Sequence, residues 1–253
     1  MRRAVEVKVN VEGAVADALA ALRIDGGETI KRQIWFADDH DGVLRGDLPL
    51  LARGVIIRFR SGDEPDDLTV KLRPCDERNL VGRWQHGIEG EEFEYRIEGD
   101  WAGSRHSVAA SAVGKHGQGA LLAAVGQDAE PATVLSRDQR EFVEQCVHPT
   151  VCLDRLIALG PIAATKWADR TIGNVEKVCI ERWTVGDLDL LELSIRVKQK
   201  DEENAEDFES RVGQKQRQLQ AAVRADGVQI ADREENKTQL VMNTLAGLRL
   251  VDH

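Results

Sequence analysis

Four stretches of this chain alternate charge with hydrocarbon, and most of the charges are arginine or lysine. They are Val5-Glu6-Val7-Lys8-Val9-Asn10-Val11, Ile56-Ile57-Arg58-Phe59-Arg60, Leu68-Thr69-Val70-Lys71-Leu72-Arg73 and Leu191-Glu192-Leu193-Ser194-Ile195-Arg196-Val197. In a strand, successive side chains point to opposite faces. Glu6 and Lys8 therefore share a face, as do Arg58 and Arg60, Lys71 and Arg73, and Glu192 and Arg196. If every charged face turns into a closed barrel, the inward set is Glu6, Lys8, Arg58, Arg60, Lys71, Arg73, Glu94, Arg96, Glu98, Lys166, Arg182, Glu192 and Arg196. Nine of these are cationic and four anionic, in a chain whose net charge is -10. Cations gathered away from water repel one another and are costly to desolvate. An anionic ligand relieves that cost. Arginine forks and lysine point charges suit phosphate oxygens, and separated glutamates suit magnesium or manganese. Together this is chemistry for a chain of phosphates.

The elements that must position these residues can be read from periodicity and turn residues. Strands are expected at residues 4–11, 29–36, 55–60, 68–73, 92–100, 161–170, 175–185 and 189–198, with a weaker one at 104–113. The turn residues of Ser61-Gly62-Asp63-Glu64-Pro65-Asp66-Asp67 join the third and fourth strands into a hairpin, and Gly186-Asp187 joins the last two. Residues 37–54 read as a polar connection. Helices are expected at 13–22, from Ser136 to about His148 with capping-box spacing, and at 204–225 and 234–245. There is no internal repeat or low-complexity linker, so a single domain spanning residues 1–253 is expected, with C-terminal helices at about 204–247.

Composition narrows the function further. With 42% hydrophobic and 31% charged residues the chain is ordinary for a globular protein. The acidic balance argues against general nucleic-acid or anionic-membrane binding. No apolar run approaches the roughly 20 residues of a membrane helix, and no signal peptide follows Arg2-Arg3. Cys75, Cys146, Cys152 and Cys179 form no C-x-x-C pair, so reduced thiols in a cytoplasmic protein are expected rather than zinc. Gly114-Lys115-His116-Gly117-Gln118-Gly119 has neither Walker nor dinucleotide spacing and reads as a flexible loop.

The chain resembles the CYTH superfamily, the triphosphate tunnel metalloenzymes. The resemblance lies in Glu6-Val7-Lys8, Trp35-Phe36-Ala37-Asp38, Gly54-Val55-Ile56-Ile57-Arg58-Phe59-Arg60, Leu68-Thr69-Val70-Lys71-Leu72 and Leu191-Glu192-Leu193-Ser194, in the family's order. It implies an α+β fold: a closed eight-stranded antiparallel β-barrel, or tunnel, with peripheral helices. It also implies a triphosphate-type substrate and a divalent metal, Mg2+ or Mn2+. Members of the family hydrolyse inorganic or thiamine triphosphate, or cyclise ATP. On this reading the chain is a metal-dependent hydrolase of a triphosphate-containing compound. Lys8, Arg58 and Lys71 are the catalytic candidates. Lys8, Arg58, Arg60, Lys71, Arg73, Arg96, Lys166, Arg182 and Arg196 hold the substrate, and Glu6, Glu94, Glu98 and Glu192 hold the metal. Ala4 stands where the family's Glu-x-Glu-x-Lys motif begins, and Ser194 follows Glu192 where the last strand commonly carries a second glutamate. The alternative is therefore a polyphosphate- or nucleotide-binding tunnel without turnover. An open sheet whose charges merely meet water is a third reading.

Overall fold

The structure, a computed structural model, describes residues 4–24, 26–126, 129–231 and 236–251. In chain order the elements are β1 (Ala4–Asn10), α1 (Val15–Ala21), β2 (Ile30–Asp39), α2 (His40–Leu44), α3 (Pro49–Ala52), β3 (Val55–Gly62), β4 (Asp67–Leu72) and β5 (Phe93–Ala102). There follow β6 (Arg105–Lys115), α4 (Arg137–Cys146), β7 (Leu156–Ile172), β8 (Val175–Val185), β9 (Leu188–Lys198), α5 (Ala205–Ala225) and α6 (Lys237–Val251). The strands form a closed barrel in the order β1-β5-β6-β4-β3-β2-β7-β8-β9. The α+β closed barrel with outer helices is thus as expected, with two corrections. It has nine strands rather than eight, because the weak stretch at 104–113 is a full strand, β6. It is also not purely antiparallel: β1 runs parallel to β5, Val5 opposite Gly99 and Lys8 opposite Ala102. Residues 37–54 are more ordered than expected. Asp39 caps α2, accepting from Gly42 N at 2.7 Å, and buried Asp38 accepts from Leu50 N and Leu51 N at 2.9 and 3.0 Å at the start of α3.

The chain divides into two compact units. The first comprises Met1–Lys31, Glu98–Ser107 and Ala164–Lys237. Its core takes Val5, Val7 and Val9 from β1, Val178 and Ile180 from β8, and Leu191, Leu193, Ile195 and Val197 from β9. Helix α5 covers them with Phe208, Val212, Leu219 and Val223, a stripe at helical spacing. Asn204 starts that helix by accepting from Asp207 N at 2.9 Å. Burying each large side chain of the stripe stabilises the unit by about 1.5–3 kcal/mol.

The second unit comprises Arg32–Ile97, Val108–Ala163 and Thr238–His253. Val55, Ile57 and Phe59 of β3, Leu68, Val70 and Leu72 of β4, and Ala110 and Ala112 of β6 meet Phe142 and Val143 of α4. Few aromatics are available, yet three gather here. Trp84, Tyr95 and Phe142 have ring centroids 5.1–5.2 Å apart. The Tyr95 hydroxyl donates to Trp84 O at 2.7 Å, so its burial leaves no orphan. Gln139 closes the expected capping box of α4 with Ser136, and its amide donates to Leu68 O at 2.7 Å. In both units these apolar side chains face the cores, and the alternate residues of the same strands, most of the charged ones among them, take the opposite face.

Candidate functional site

In the second unit the hairpin register sets the charged face. Arg58 lies opposite Thr69, Arg60 opposite Asp67 and Lys71 opposite Ile56 across β3 and β4, while Phe36 and Ile34 of β2 lie opposite Arg58 and Arg60. Directly opposed residues share a face, so Arg58, Arg60 and Lys71 stand on one face, and Arg32, opposite Gly62, joins them. Arg73 follows one step beyond β4, with the parity of Lys71. On β5, Tyr95 faces the apolar core, so Glu94 and Arg96 take the other side, and they pair at 3.2 Å. Asp67 is the anchor. It accepts from Arg60 Nε at 3.0 and 2.8 Å and from Arg32 Nη1 at 2.8 Å, and the Thr69 hydroxyl donates to it at 3.2 Å. Arg32 also pairs with Glu64. Burial pushes the Asp67 carboxyl up, but Arg60, Arg58 and Arg32 outweigh it and hold the group below its ordinary value. Arg32, Arg58, Arg60, Lys71, Arg73 and Arg96 are the cations of this unit's charged strands, and among the described residues Asp67, Glu64 and Glu94 pair with Arg60, Arg32 and Arg96.

The first unit carries more carboxylates. Across β1 and β9, Glu6 lies opposite Arg196, Lys8 opposite Ser194 and Asn10 opposite Glu192. Lys8, buried, sits 2.7 Å from Asp100 and 3.1 Å from Glu6. Arg196 pairs with Glu98. Glu181 of β8 is directly opposite Glu192 of β9. Between them is the ammonium of Lys237, the first residue of α6, 2.8 Å from Glu181 Oε2 and 3.3 Å from Glu192 Oε1. The same ammonium lies 4.0 Å from the centroid of the Trp183 ring, a cation–π contact. Burial lowers the Lys237 pKa, but the two carboxylates outweigh burial and leave it above the ordinary lysine value. Cys179, next but one to Glu181, reports on the same neighbourhood. Burial pushes its thiol up to about 11, against the pull of Lys166 and with the push of Glu181, Glu6 and Glu192.

No protein-family model matches the sequence, and no curated protein matches it. Among solved structures the chain is similar to a putative adenylyl cyclase from Hippeastrum, for which a dominant triphosphatase activity is described. The TM-score is 0.57 and the identity 15%, over 96% of this chain and 96% of that one. At this identity the likeness shows the fold alone, a closed β-barrel with outer helices. A putative adenylate cyclase from Bacillus halodurans is similar at a TM-score of 0.49 and 11% identity, over 94% of this chain and 97% of that one.

Set on the tunnel fold, the expected residues sort as follows. Arg58, Arg60, Lys71, Arg73 and Arg96 share a face in the second unit. Glu6, Lys8, Glu192 and Arg196 share one in the first, and Lys166 lies near enough to Cys179 of β8 to pull against the rise of its thiol pKa. Arg182 does not join them: it lies opposite Leu191, a core residue. Its guanidinium instead makes a bidentate pair with Asp189 at 2.8 and 2.7 Å. The expected metal carboxylates all meet a cationic side chain, Glu6 meeting Lys8, Glu94 Arg96, Glu98 Arg196 and Glu192 Lys237. Among the described residues no group of three or more His, Cys, Asp or Glu side chains is arranged to hold a metal ion. Glu181 and Glu192 nonetheless converge on one cation, the Lys237 ammonium, as two carboxylates would on a metal ion that keeps its waters.

Glu181, Lys237, Asp67 and Arg32 were missed in the sequence. A signal for Glu181 was there. Counting outward from the two-residue turn Gly186-Asp187 puts Glu181, not Arg182, opposite Glu192. Lys237 gave none, since nothing local ties residue 237 to β8 and β9. Of the Gly114–Gly119 stretch, Gly114 and Lys115 end β6 and only the remainder is a loop. Its backbone is taken by Asp66, whose carboxylate accepts from Gly119 N at 3.0 Å and Leu121 N at 2.9 Å. The four cysteines are free thiols. No helix among the described residues is long and apolar enough to cross a membrane.

Proposed function

We propose that the protein binds a triphosphate-containing compound and hydrolyses it. The observation that supports binding is the gathering of Arg32, Arg58, Arg60 and Lys71 on one face of β2, β3 and β4. Asp67 holds two of the arginines, Arg32 and Arg60, in place. A phosphate chain accepts from several guanidinium and ammonium groups at once, and each such charge-assisted bond is about twice as strong as a neutral one. Lys71, Arg58 and Arg60 of the second unit would bind and orient the phosphates. Glu192 and Glu181 would hold a divalent cation. When bound, such a cation supplies charge neutralisation at the phosphate oxygens and helps to position water.

Thermal unfolding with phosphate, pyrophosphate and triphosphate tests binding. Triphosphate should stabilise most, because the longer anion reaches more of the cations. At a hundredfold excess over its dissociation constant it adds about 2.7 kcal/mol. Lys71→Ala should cut the triphosphate effect more than the monophosphate effect. Equal shifts from all three anions count against a site built for a phosphate chain. Phosphate release in magnesium or manganese, abolished by Glu192→Gln, tests hydrolysis. A second reading, triphosphate binding without turnover, is favoured by Ala4 and Ser194 and by the ion pairs that engage every expected metal carboxylate. Tight triphosphate binding with no release in either metal would select it.

A further inference from the structure

We propose that Lys237 is a tethered cation that holds the Glu181–Glu192 pair against divalent metal, so that metal binding requires the start of α6 to withdraw. This rests on the reading of that pair as the chain's cation site. Three observations carry it. First, two carboxylates directly opposite each other on adjacent strands repel, so the pair calls for a cation. Lys237 supplies one, with its ammonium within 3.3 Å of both and its side chain 7% exposed. Second, the contact is enclosed on a further side by the Trp183 ring, 4.0 Å from Nζ. Third, a lysine opening a helix runs against the helix dipole, which favours anions at that end. The first turn of α6 has no acidic residue to offset it. The carboxylate pair, not the helix, therefore holds this lysine where it is.

The competition is local. Magnesium binds carboxylate oxygens at about 2.0–2.1 Å, and the oxygens it would take are those facing Nζ. Ammonium and metal cannot both occupy the space between Glu181 and Glu192. A metal-binding state populated only when Lys237 has left lowers the apparent metal affinity by the fraction in which it has left. The same exchange frees an ammonium close to the carboxylates at the moment metal arrives.

The test is Mn2+ binding to the full chain without any phosphate, followed by electron paramagnetic resonance of the free ion. Lys237→Met should tighten binding by roughly tenfold or more, and Lys237→Arg, which keeps a cation there, should remain as weak as wild type. Adding Glu181→Gln to Lys237→Met should cancel the gain. Equal Mn2+ affinity in wild type and Lys237→Met, or no binding by either, overturns the proposal. Because Lys237→Met leaves two carboxylates facing each other, a second measurement uses the wild-type chain alone. Acylation of Lys237 by an amine reagent, read by peptide mass, should be slow without metal and faster with saturating Mn2+. Protection that persists while Mn2+ is bound overturns it equally. Failure here leaves the phosphate series on Lys71 untouched, and failure of that series leaves the Mn2+ result standing.

Discussion

Asp67→Asn separates holding the arginines from using them. The side chain keeps its size and loses its charge, and one of the two oxygens that accept from Arg60 Nε and Arg32 Nη1 becomes an NH2 donor. Removing one partner of a buried ion pair costs about 3–5 kcal/mol. Arg60's side chain is 26% exposed, and Arg32 retains Glu64, which brings the loss below that range, to about 2–3 kcal/mol. In a chain of 253 residues each kcal/mol moves the midpoint by about 2–4 °C, so a fall of roughly 4–12 °C is expected. The sign reverses for the ligand. Asp67 competes with phosphate for two arginines, so the variant should gain more from triphosphate than wild type does. Urea and thermal unfolding at pH 7, each with and without triphosphate, measure both effects. The pH dependence follows from the depressed carboxyl. Its contribution is fully present above the ordinary aspartate value of 3.8 and is lost as pH falls below it, through the folded-state pKa. The gap between wild type and variant should thus hold steady down to about pH 5 and close in stronger acid. A variant that loses both stability and its triphosphate gain refutes the view that Asp67 stands in for the ligand.

Arg182→Ala should leave triphosphate binding unchanged and alter stability by less than about 1 kcal/mol, since its pair with Asp189 is partly exposed; a lost triphosphate shift would return Arg182 to the binding set. Asp66→Ala should cost about 2–4 kcal/mol in urea unfolding, because two N–H donors, of Gly119 and Leu121, lose their acceptor. Triphosphate should still stabilise that variant. Gly160→Ala should cost about 1–3 kcal/mol by the same measurement. Its φ is +146°, and a Cβ there would stand 2.8 Å from both Ile34 O and Trp35 Cδ1. An unchanged midpoint would mean that β2 and β7 yield more readily than this spacing implies.

What the sequence determined by itself is the side of each strand on which a residue stands. Period-two alternation is local, so Arg58, Arg60 and Lys71 could be placed together before any coordinates, and the turn at Gly186-Asp187 carried the Glu181–Glu192 register as well. Alternation holds only while the strand is regular. In β8, Lys177 adopts φ +57°, and Val175 and Val178, three apart, both face the core; parity counted from the far end of that strand is therefore lost. Only the tertiary structure decided which distant groups answer these charges. The parallel β1–β5 pairing sets Asp100 opposite Glu6, next to Lys8. Chain reversal brings Lys237 onto two strands more than forty residues earlier. Neither leaves a periodic trace, because a partner chosen by closure of the fold is fixed by the geometry of the whole chain and not by the spacing of its neighbours.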